Sequence, residues 1–401
     1  MEFRFTEQQE RFRKEVQDFL KVELPPGWSE GGLDLDEDLD GDGEHDAKDA
    51  FAQTLAQKMA KRGWITARWP IEYGGLGWTP LEQVIFSEEM TRHKVPRTYI
   101  TDAGVSNVGP TIAVHGTDEQ KSSWLPGIAG AKERWCQLFS EPNAGSDLAS
   151  LQTTARDDGD VFVVNGVKIW SSGAHKAKWG ALLCRTDPDA PKHRGISYLI
   201  VDMTSPGITF APIINICDVY SFNQVFLDDV RVPKSNLIGE QNRGWYSGTT
   251  TLNLERSFIR HAIISQLYFD EVLTVLRDGA DGHNMLDRNP ALRHKLADIA
   301  VDLRVARLLA YRVAWLQSQG DPPSYESSVS KLYCGGMAQR LAQIVMETLG
   351  QYGQVKKDSK HAVLRGKAQQ IYLTQRGITI GGGTSEIQRS LIARRGLGLG
   401  G

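Results

Sequence analysis

The sequence predicts an α+β multidomain protein, with an N-terminal helical bundle over 1–134, a small central β-barrel or sandwich over 135–240, and a C-terminal four-helix bundle over 241–401. Three observations carry this. Apolar residues recur at helical spacing from Thr6 to about Ile128, short runs of Val, Ile, Phe and Tyr fill the stretch from Cys136 to Gly239, and helical periodicity returns after Gly244.

The first helix is marked by Phe12, Val16, Phe19 and Leu20 on one face and is stopped by Pro25, Pro26 and Gly27. In the central third, Val161-Phe162-Val163-Val164, Asn165-Gly166 and Val167-Lys168-Ile169-Trp170 read as a β-hairpin, because Asn-Gly readily supplies the positive φ angles of a tight turn. Ser197 to Val201 and Gln224 to Leu227 continue the strand pattern. In the last third, Leu292, Leu296, Ile299 and Leu303 make one apolar stripe.

A chain of 401 residues with 40% hydrophobic and 24% charged residues can form two or three domains with substantial cores. The formal net charge is -3 with mixed signs, which excludes the basic footprint of a nucleic-acid or membrane-surface binder. Small molecules and other subunits are the expected partners. Cys136, Cys184, Cys217 and Cys334 lie far apart without metal-ligand spacing, so they are expected to be reduced thiols. Met1-Glu2-Phe3-Arg4 leads into an amphipathic pattern, and no window approaches the ~18 apolar residues of a membrane span. The expected location is cytoplasmic. Asp36, Asp38, Asp40 and Gly41 match the first half of a calcium loop, but the position of the bidentate glutamate is Ala47. This acidic stretch is expected to be a solvated loop, and no metal site is expected.

Two segments carry the chemistry. Leu138-Phe139-Ser140-Glu141-Pro142-Asn143-Ala144-Gly145-Ser146-Asp147 is a loop whose small Gly-Ser step lets backbone N–H groups and the Ser146 hydroxyl approach a phosphate. Near the C-terminus stands Gly381-Gly382-Gly383-Thr384-Ser385-Glu386-Ile387-Gln388-Arg389. Neither Gly74-Gly75-Leu76-Gly77 nor the glycine-rich tail from Gly396 sits in a βαβ unit, so neither reads as a dinucleotide loop. The segments Trp69 to Gly77 and Phe226 to Pro233 read as structural turns.

These segments resemble the signatures of the FAD-dependent acyl-CoA dehydrogenases, and the resemblance runs the length of the chain. It implies FAD held by Phe139, Ser140, Gly145, Ser146, Trp170, Ser172, Thr384 and Glu386, with Ser140 toward the isoalloxazine edge and Trp170 beside the ring. It also implies oxidation of an acyl-CoA to its 2-enoyl-CoA, with electron-transfer flavoprotein as acceptor. In the family a glutamate precedes the final Gly-Thr-Ser and removes the substrate's α-proton; here that position is Gly382. Its backbone N–H, which the family uses to polarise the thioester oxygen, is retained.

A carboxylate in a desolvated pocket is still needed for a weakly acidic proton. Leu252-Asn253-Leu254-Glu255-Arg256 resembles the helix-borne segment of the isovaleryl-CoA dehydrogenase branch, which implies Glu255 as base. Asn253, Arg256 and Arg394 then fall on the substrate or CoA side.

The family's Arg-x-x-Phe-Gly and Gln-x-x-Gly-Gly segments, which reach a neighbour's FAD, have no match at Gly282 to Arg288 or Met346 to Gly350. Loss of an arginine clamp costs charge-assisted contacts to a phosphate-bearing cofactor. The pattern is similar to the Glu-bearing subunit of bacterial α2β2 steroid-type acyl-CoA dehydrogenases, which implies a second dehydrogenase-like subunit and a bulky or sterol side-chain acyl group. A homodimer or homotetramer is the alternative assembly. A non-catalytic assembly subunit and a flavin oxidase or monooxygenase on the same fold are the alternative functions.

Overall fold

A computed structural model describes residues 4–28, 46–96, 99–100, 103–252, 257–278, 285–321, 323–357 and 359–400. The chain forms two compact units, one of 1–35, 78–95 and 256–401, the other of 36–77 and 96–255. The helices of the first third are α1 (Glu7–Glu23), α2 (Asp46–Lys61), α3 (Pro80–Arg92), α4 (Gly109–His115) and α5 (Asp118–Ala129). Of these, α1 and α3 belong to the first unit and α2, α4 and α5 to the second. Three start alike for one reason: Thr6, Thr79 and Thr117 each accept an orphan N–H while the Gln9, Glu82 or Gln120 side chain accepts from the cap's own N–H. Val16, Phe19 and Leu20 are buried as their spacing predicts, and α1 stops at an extended Leu24 before Pro25.

The second unit is built on a seven-stranded sheet of β1 (Trp135–Leu138), β2 (Thr154–Asp158), β3 (Val161–Ser172), β4 (Trp179–Arg185), β5 (Ile196–Asp202), β6 (Ile208–Ile214) and β7 (Tyr220–Pro233). The order is β1-β4-β2-β3-β7-β6, with β5 paired to β4. Its core includes Leu138, Phe162, Val164, Leu182, Leu199 and Val225.

Two sequence expectations are corrected here. Asn165-Gly166 is not a hairpin turn: β3 runs through it, with a bulge against β7 between Val164 and Gly166. The β2–β3 turn is instead at Gly159, where φ is +75°. The glycine at 166 answers a close approach, since a Cβ there would stand 2.7 Å from the Thr153 Cα. Asn165 answers the bulge by exchanging hydrogen bonds with Asp229, its amide donating to the carboxylate and its oxygen accepting the Asp229 N–H, both at 2.9 Å. Likewise Phe226 to Pro233 is strand, the second half of β7, and not a turn. Trp69 to Gly77 is a turn around the short helix Ile71–Tyr73.

The C-terminal helices are α6 (Gly244–Leu252), α7 (Ile259–Asp278), α8 (Met285–Arg288), α9 (Pro290–Ser318), α10 (Glu326–Leu349), α11 (Lys367–Ile378) and α12 (Ser385–Leu391). The predicted stripe of Leu292, Leu296, Ile299 and Leu303 is buried in α9 and shares one core with α7, α10 and α11. Each such side chain contributes about 1.5–3 kcal/mol by leaving water. In α10 the buried face reads Ser327, Lys331, Cys334, Ala338, Leu341 and Val345 at spacings of three and four, so a lysine occupies a core phase of the helix. Among the described residues no helix is long and apolar enough to cross a membrane, and no acidic, Cys or His cluster could hold a metal. The acidic stretch from Asp34 to 45 lies outside the described residues. The four cysteines form no disulfide, and burial pushes Cys184 and Cys334 up to about 12.

Candidate active site

In the second unit, β1 delivers Phe139 and Ser140 into the loop that follows. Glu141 closes the loop on itself, with its N–H donating to the Ala144 carbonyl at 3.1 Å and its carbonyl accepting from Ala144 at 3.0 Å. The buried Glu141 carboxylate accepts from the N–H groups of Gln152 (2.6 Å) and Thr153 (2.9 Å) and from the Lys168 ammonium at 2.7 Å. Lys168, which is fully buried on β3, also donates to the Phe139 carbonyl at 3.1 Å. The Ile169 N–H donates to the Ser140 carbonyl at 2.9 Å. Burial pushes the Glu141 carboxyl up, but Lys168, Thr153 and Gln152 outweigh it and hold the group below its ordinary value. Burial dominates at Lys168 and lowers it, with Glu141 opposing. The loop is thus fixed from behind by a buried ion pair, and its outer side is left open.

That outer side fits an anionic cofactor. A Cβ at Gly145 would meet nothing within 4 Å, so the loop backbone there can be approached closely. Ser146 is exposed beside it, and Ser140 is half-buried. Trp170 is 57% exposed, sits at a second bulge of β3 between Lys168 and Ser171, and has φ +60°, a conformation that bulky residues rarely adopt. Phe222 meets it edge-on at 5.8 Å. Ser172 is exposed, and the neighbouring Ser171 hydroxyl is buried with no hydrogen-bond partner among the described residues.

In the first unit, the glycine run follows α11. Gly382 and Gly383 have φ +64° and +92°, which explains glycine at both positions. The ammonium of the buried Lys331 donates to the Gly381 carbonyl at 2.5 Å and to the Gly383 carbonyl. The amide of Gln388, also buried, donates to the carbonyls of Gly382 (3.4 Å) and Gly383 (3.2 Å). All three carbonyls are therefore held by side chains, while the Gly382 N–H has no acceptor among the described residues. Thr384 caps α12, its hydroxyl accepting from the Ile387 N–H at 3.3 Å. Glu386 is exposed and paired with Arg389 at 3.3 Å, and Arg394 is exposed in the π-helical turn Ile392–Gly396 that follows α12.

Asn253, Glu255 and Arg256 lie outside the described residues. Beside the sequence-predicted residues, Lys168, Lys331 and Gln388 are new. Two are lysines at buried phases, of a strand for Lys168 and of a helix for Lys331.

Residues 6–132, 136–230 and 242–397 match the acyl-CoA dehydrogenase N-terminal, middle and C-terminal domains. The acyl-CoA dehydrogenase FadE26 of Mycobacterium tuberculosis is 34% identical over 410 residues, covering 100% of this chain and 99% of that protein. The chain belongs to the acyl-CoA dehydrogenase family. It is an oxidoreductase acting on acyl-CoA thioesters, and its cofactor is FAD. Among solved structures, the ChsE4-ChsE5 complex from Mycobacterium tuberculosis matches with a TM-score of 0.85 and 32% identity, covering 100% of both chains. The Tcur3481-Tcur3483 steroid acyl-CoA dehydrogenase matches with the same TM-score, identity and coverage. The residues present fit FAD: an open Gly-Ser loop anchored from behind, half-buried Ser140, and a strained, exposed Trp170.

Proposed function

We propose that this chain is the base-bearing subunit of a heteromeric acyl-CoA dehydrogenase for a bulky, sterol side-chain acyl-CoA. FAD, when bound by the Phe139–Ser146 loop, Trp170, Ser172 and the Thr384–Glu386 segment, supplies the acceptor for the hydride leaving the β-carbon. Glu255 takes the α-proton. As that proton leaves, negative charge grows on the thioester oxygen, and the Gly382 N–H donates to it. Asn253, Arg256 and Arg394 serve the substrate and its CoA. Electron-transfer flavoprotein is the acceptor that reoxidises the enzyme.

The observation that carries this reading is the backbone of Gly382, with φ +64°, neighbouring carbonyls all occupied and an N–H with no acceptor among the described residues. Substitution of the family's glutamate by glycine removes a base and keeps this donor. Space supports the bulky acyl group: a Cβ at Gly381 or Gly382 would find no atom closer than 3.8 Å or 3.9 Å. The ChsE4-ChsE5 complex supports the partner, and the Tcur3481-Tcur3483 steroid acyl-CoA dehydrogenase supports the partner and the substrate class.

The test is anaerobic flavin bleaching by the chain co-expressed with its neighbour-encoded partner. Steroid-type acyl-CoA thioesters should bleach the wild-type flavin. Glu255→Gln should retain flavin and lose bleaching by about two orders of magnitude or more, as expected for a general base. Retained turnover in Glu255→Gln would remove the base assignment, and preference for straight-chain thioesters would remove the substrate class.

A further inference from the structure

The glycine run is not held by its own secondary structure. Gly381 closes a turn on Gly377, its N–H donating to that carbonyl at 3.0 Å, and the Ser385 N–H donates to the Thr379 carbonyl at 3.0 Å, but among the described residues no backbone hydrogen bond engages Gly382 or Gly383, and α12 begins only at Ser385. Between them lie two residues at positive φ, a conformation that glycine adopts with little preference over others. A backbone donor contributes to catalysis only if it already points at the developing charge, because reorienting it during the reaction forfeits the gain. Something outside the loop must therefore fix it.

Lys331 has the geometry for that task. One ammonium reaches the carbonyls on both sides of Gly382, those of Gly381 (2.5 Å) and Gly383. A carbonyl and the N–H of the next residue share one rigid peptide plane. Holding the Gly381 carbonyl therefore sets the direction of the Gly382 N–H, and holding the Gly383 carbonyl limits rotation on the far side. The ammonium pulls both carbonyls to one side, which leaves the Gly382 N–H aimed away from α10. A buried lysine is costly unless each donor is used, and the α10 phase it occupies would otherwise take an apolar residue. Gln388 adds a neutral donor to the Gly382 and Gly383 carbonyls from α12.

We propose that Lys331 is a positioning residue that aims the Gly382 N–H at the substrate's thioester oxygen. This rests on Gly382 being the oxyanion donor. In this role Lys331 acts through the Gly382 peptide plane.

The experiment uses the FAD-loaded complex and a chromophoric thioester, 4-(dimethylamino)cinnamoyl-CoA, whose absorption moves to the red when its carbonyl is polarised. Wild type should shift the band. Lys331→Met should bind the probe but lose most of the shift, and its kcat should fall about tenfold or more with KM little changed. Lys331→Gln, which keeps N–H donors without the charge, should recover part of both. If Lys331→Met does not fold, Lys331→Gln and Gln388→Leu are compared instead, and each should lose part of the shift. A full shift and unchanged kcat in the folded Lys331 variants would overturn the proposal. Absence of a shift in wild type would instead overturn Gly382 as donor, so the two failures are distinguishable.

Discussion

The Lys168 ammonium lies 2.7 Å from a carboxylate oxygen of Glu141, and both groups are buried behind the loop that carries Phe139, Ser140 and Gly145. Breaking one side of such a pair leaves an uncompensated buried charge, at about 3–5 kcal/mol. Replacing both sides with uncharged groups of similar volume can be nearly neutral. Glu141→Gln and Lys168→Met should therefore each destabilise the protein strongly, and the double variant should recover most of the loss. Urea unfolding measures the stabilities. Both single variants should also release FAD more readily, because the Phe139 carbonyl and the Gln152 and Thr153 amides lose fixed partners. Additive losses in the double variant would contradict the pairing.

A second buried carboxylate makes stability depend on pH. Burial pushes Glu88 up, but the Tyr311 hydroxyl donating at 2.6 Å and the guanidinium groups of Arg307, Arg92 and Arg13 outweigh it, so it is held below its ordinary value of 4.5. A carboxyl lowered in the folded state contributes stability that is fully present above its unfolded value and is lost as pH falls through the folded one. Unfolding free energy should therefore be flat from neutral pH down to about 5 and then decline into acid. Glu88→Gln should lower stability at neutral pH and flatten that decline. An acid slope identical to wild type would show that Glu88 does not contribute to it.

Two glycines separate a packing role from a binding role. Alanine at Gly166 would place its Cβ 2.4 Å from the Thr153 hydroxyl oxygen, with φ at +155°. Gly166→Ala should cost about 2–4 kcal/mol through overpacking and backbone strain. A Cβ at Gly145 would meet open space, so Gly145→Ala should leave stability within about 0.5 kcal/mol. Its FAD affinity should nevertheless fall, because the added methyl occupies room the loop leaves for the cofactor. Equilibrium dialysis of FAD with thermal unfolding on the same samples checks both. A Gly145→Ala variant with wild-type FAD affinity would remove this loop from the cofactor site.

The same contrasts show what was legible in the sequence. The stripe of α9 was readable because four leucine and isoleucine positions repeat at a period that only a helix buries. Asn165-Gly166 misled because the dipeptide has two physical uses, a tight turn and a bulge, and only the approach of Thr153 distinguishes them. Phe226 to Pro233 reads as a turn in the sequence because its charged and proline residues mask an alternation in which Leu227, Val230 and Val232 are buried. Lys168 and Lys331 escaped because lysine ordinarily stays in water. Extending the phase of Phe162 and Val164 along β3 reaches Lys168, and extending Cys334 and Ala338 back along α10 reaches Lys331. A charge on a core phase was the available signal. The glycine run is visible as a departure from a family signature and Gln388 stands within the same segment, but the Lys331 anchor lies 50 residues earlier in the chain and leaves no local trace.

The residue before Lys331 extends the same logic to the base. The Ser330 hydroxyl, fully buried on α10, donates to the Ser257 carbonyl at 2.9 Å. Ser257 follows Glu255 by two residues and precedes Phe258, whose φ of +58° marks a strained turn into α7. Adjacent residues of one helix thus hold the glycine run and the segment leading from the predicted base. Ser330→Ala should cost about 1–2 kcal/mol for an unpaired carbonyl and leave the polarised-thioester band intact, since Lys331 is unchanged. Its kcat should fall severalfold, with a larger substrate α-deuterium isotope effect, because proton removal is the step a misplaced Glu255 would slow. A variant that loses the band instead, or keeps wild-type kcat and isotope effect, would contradict a separate role for Ser330.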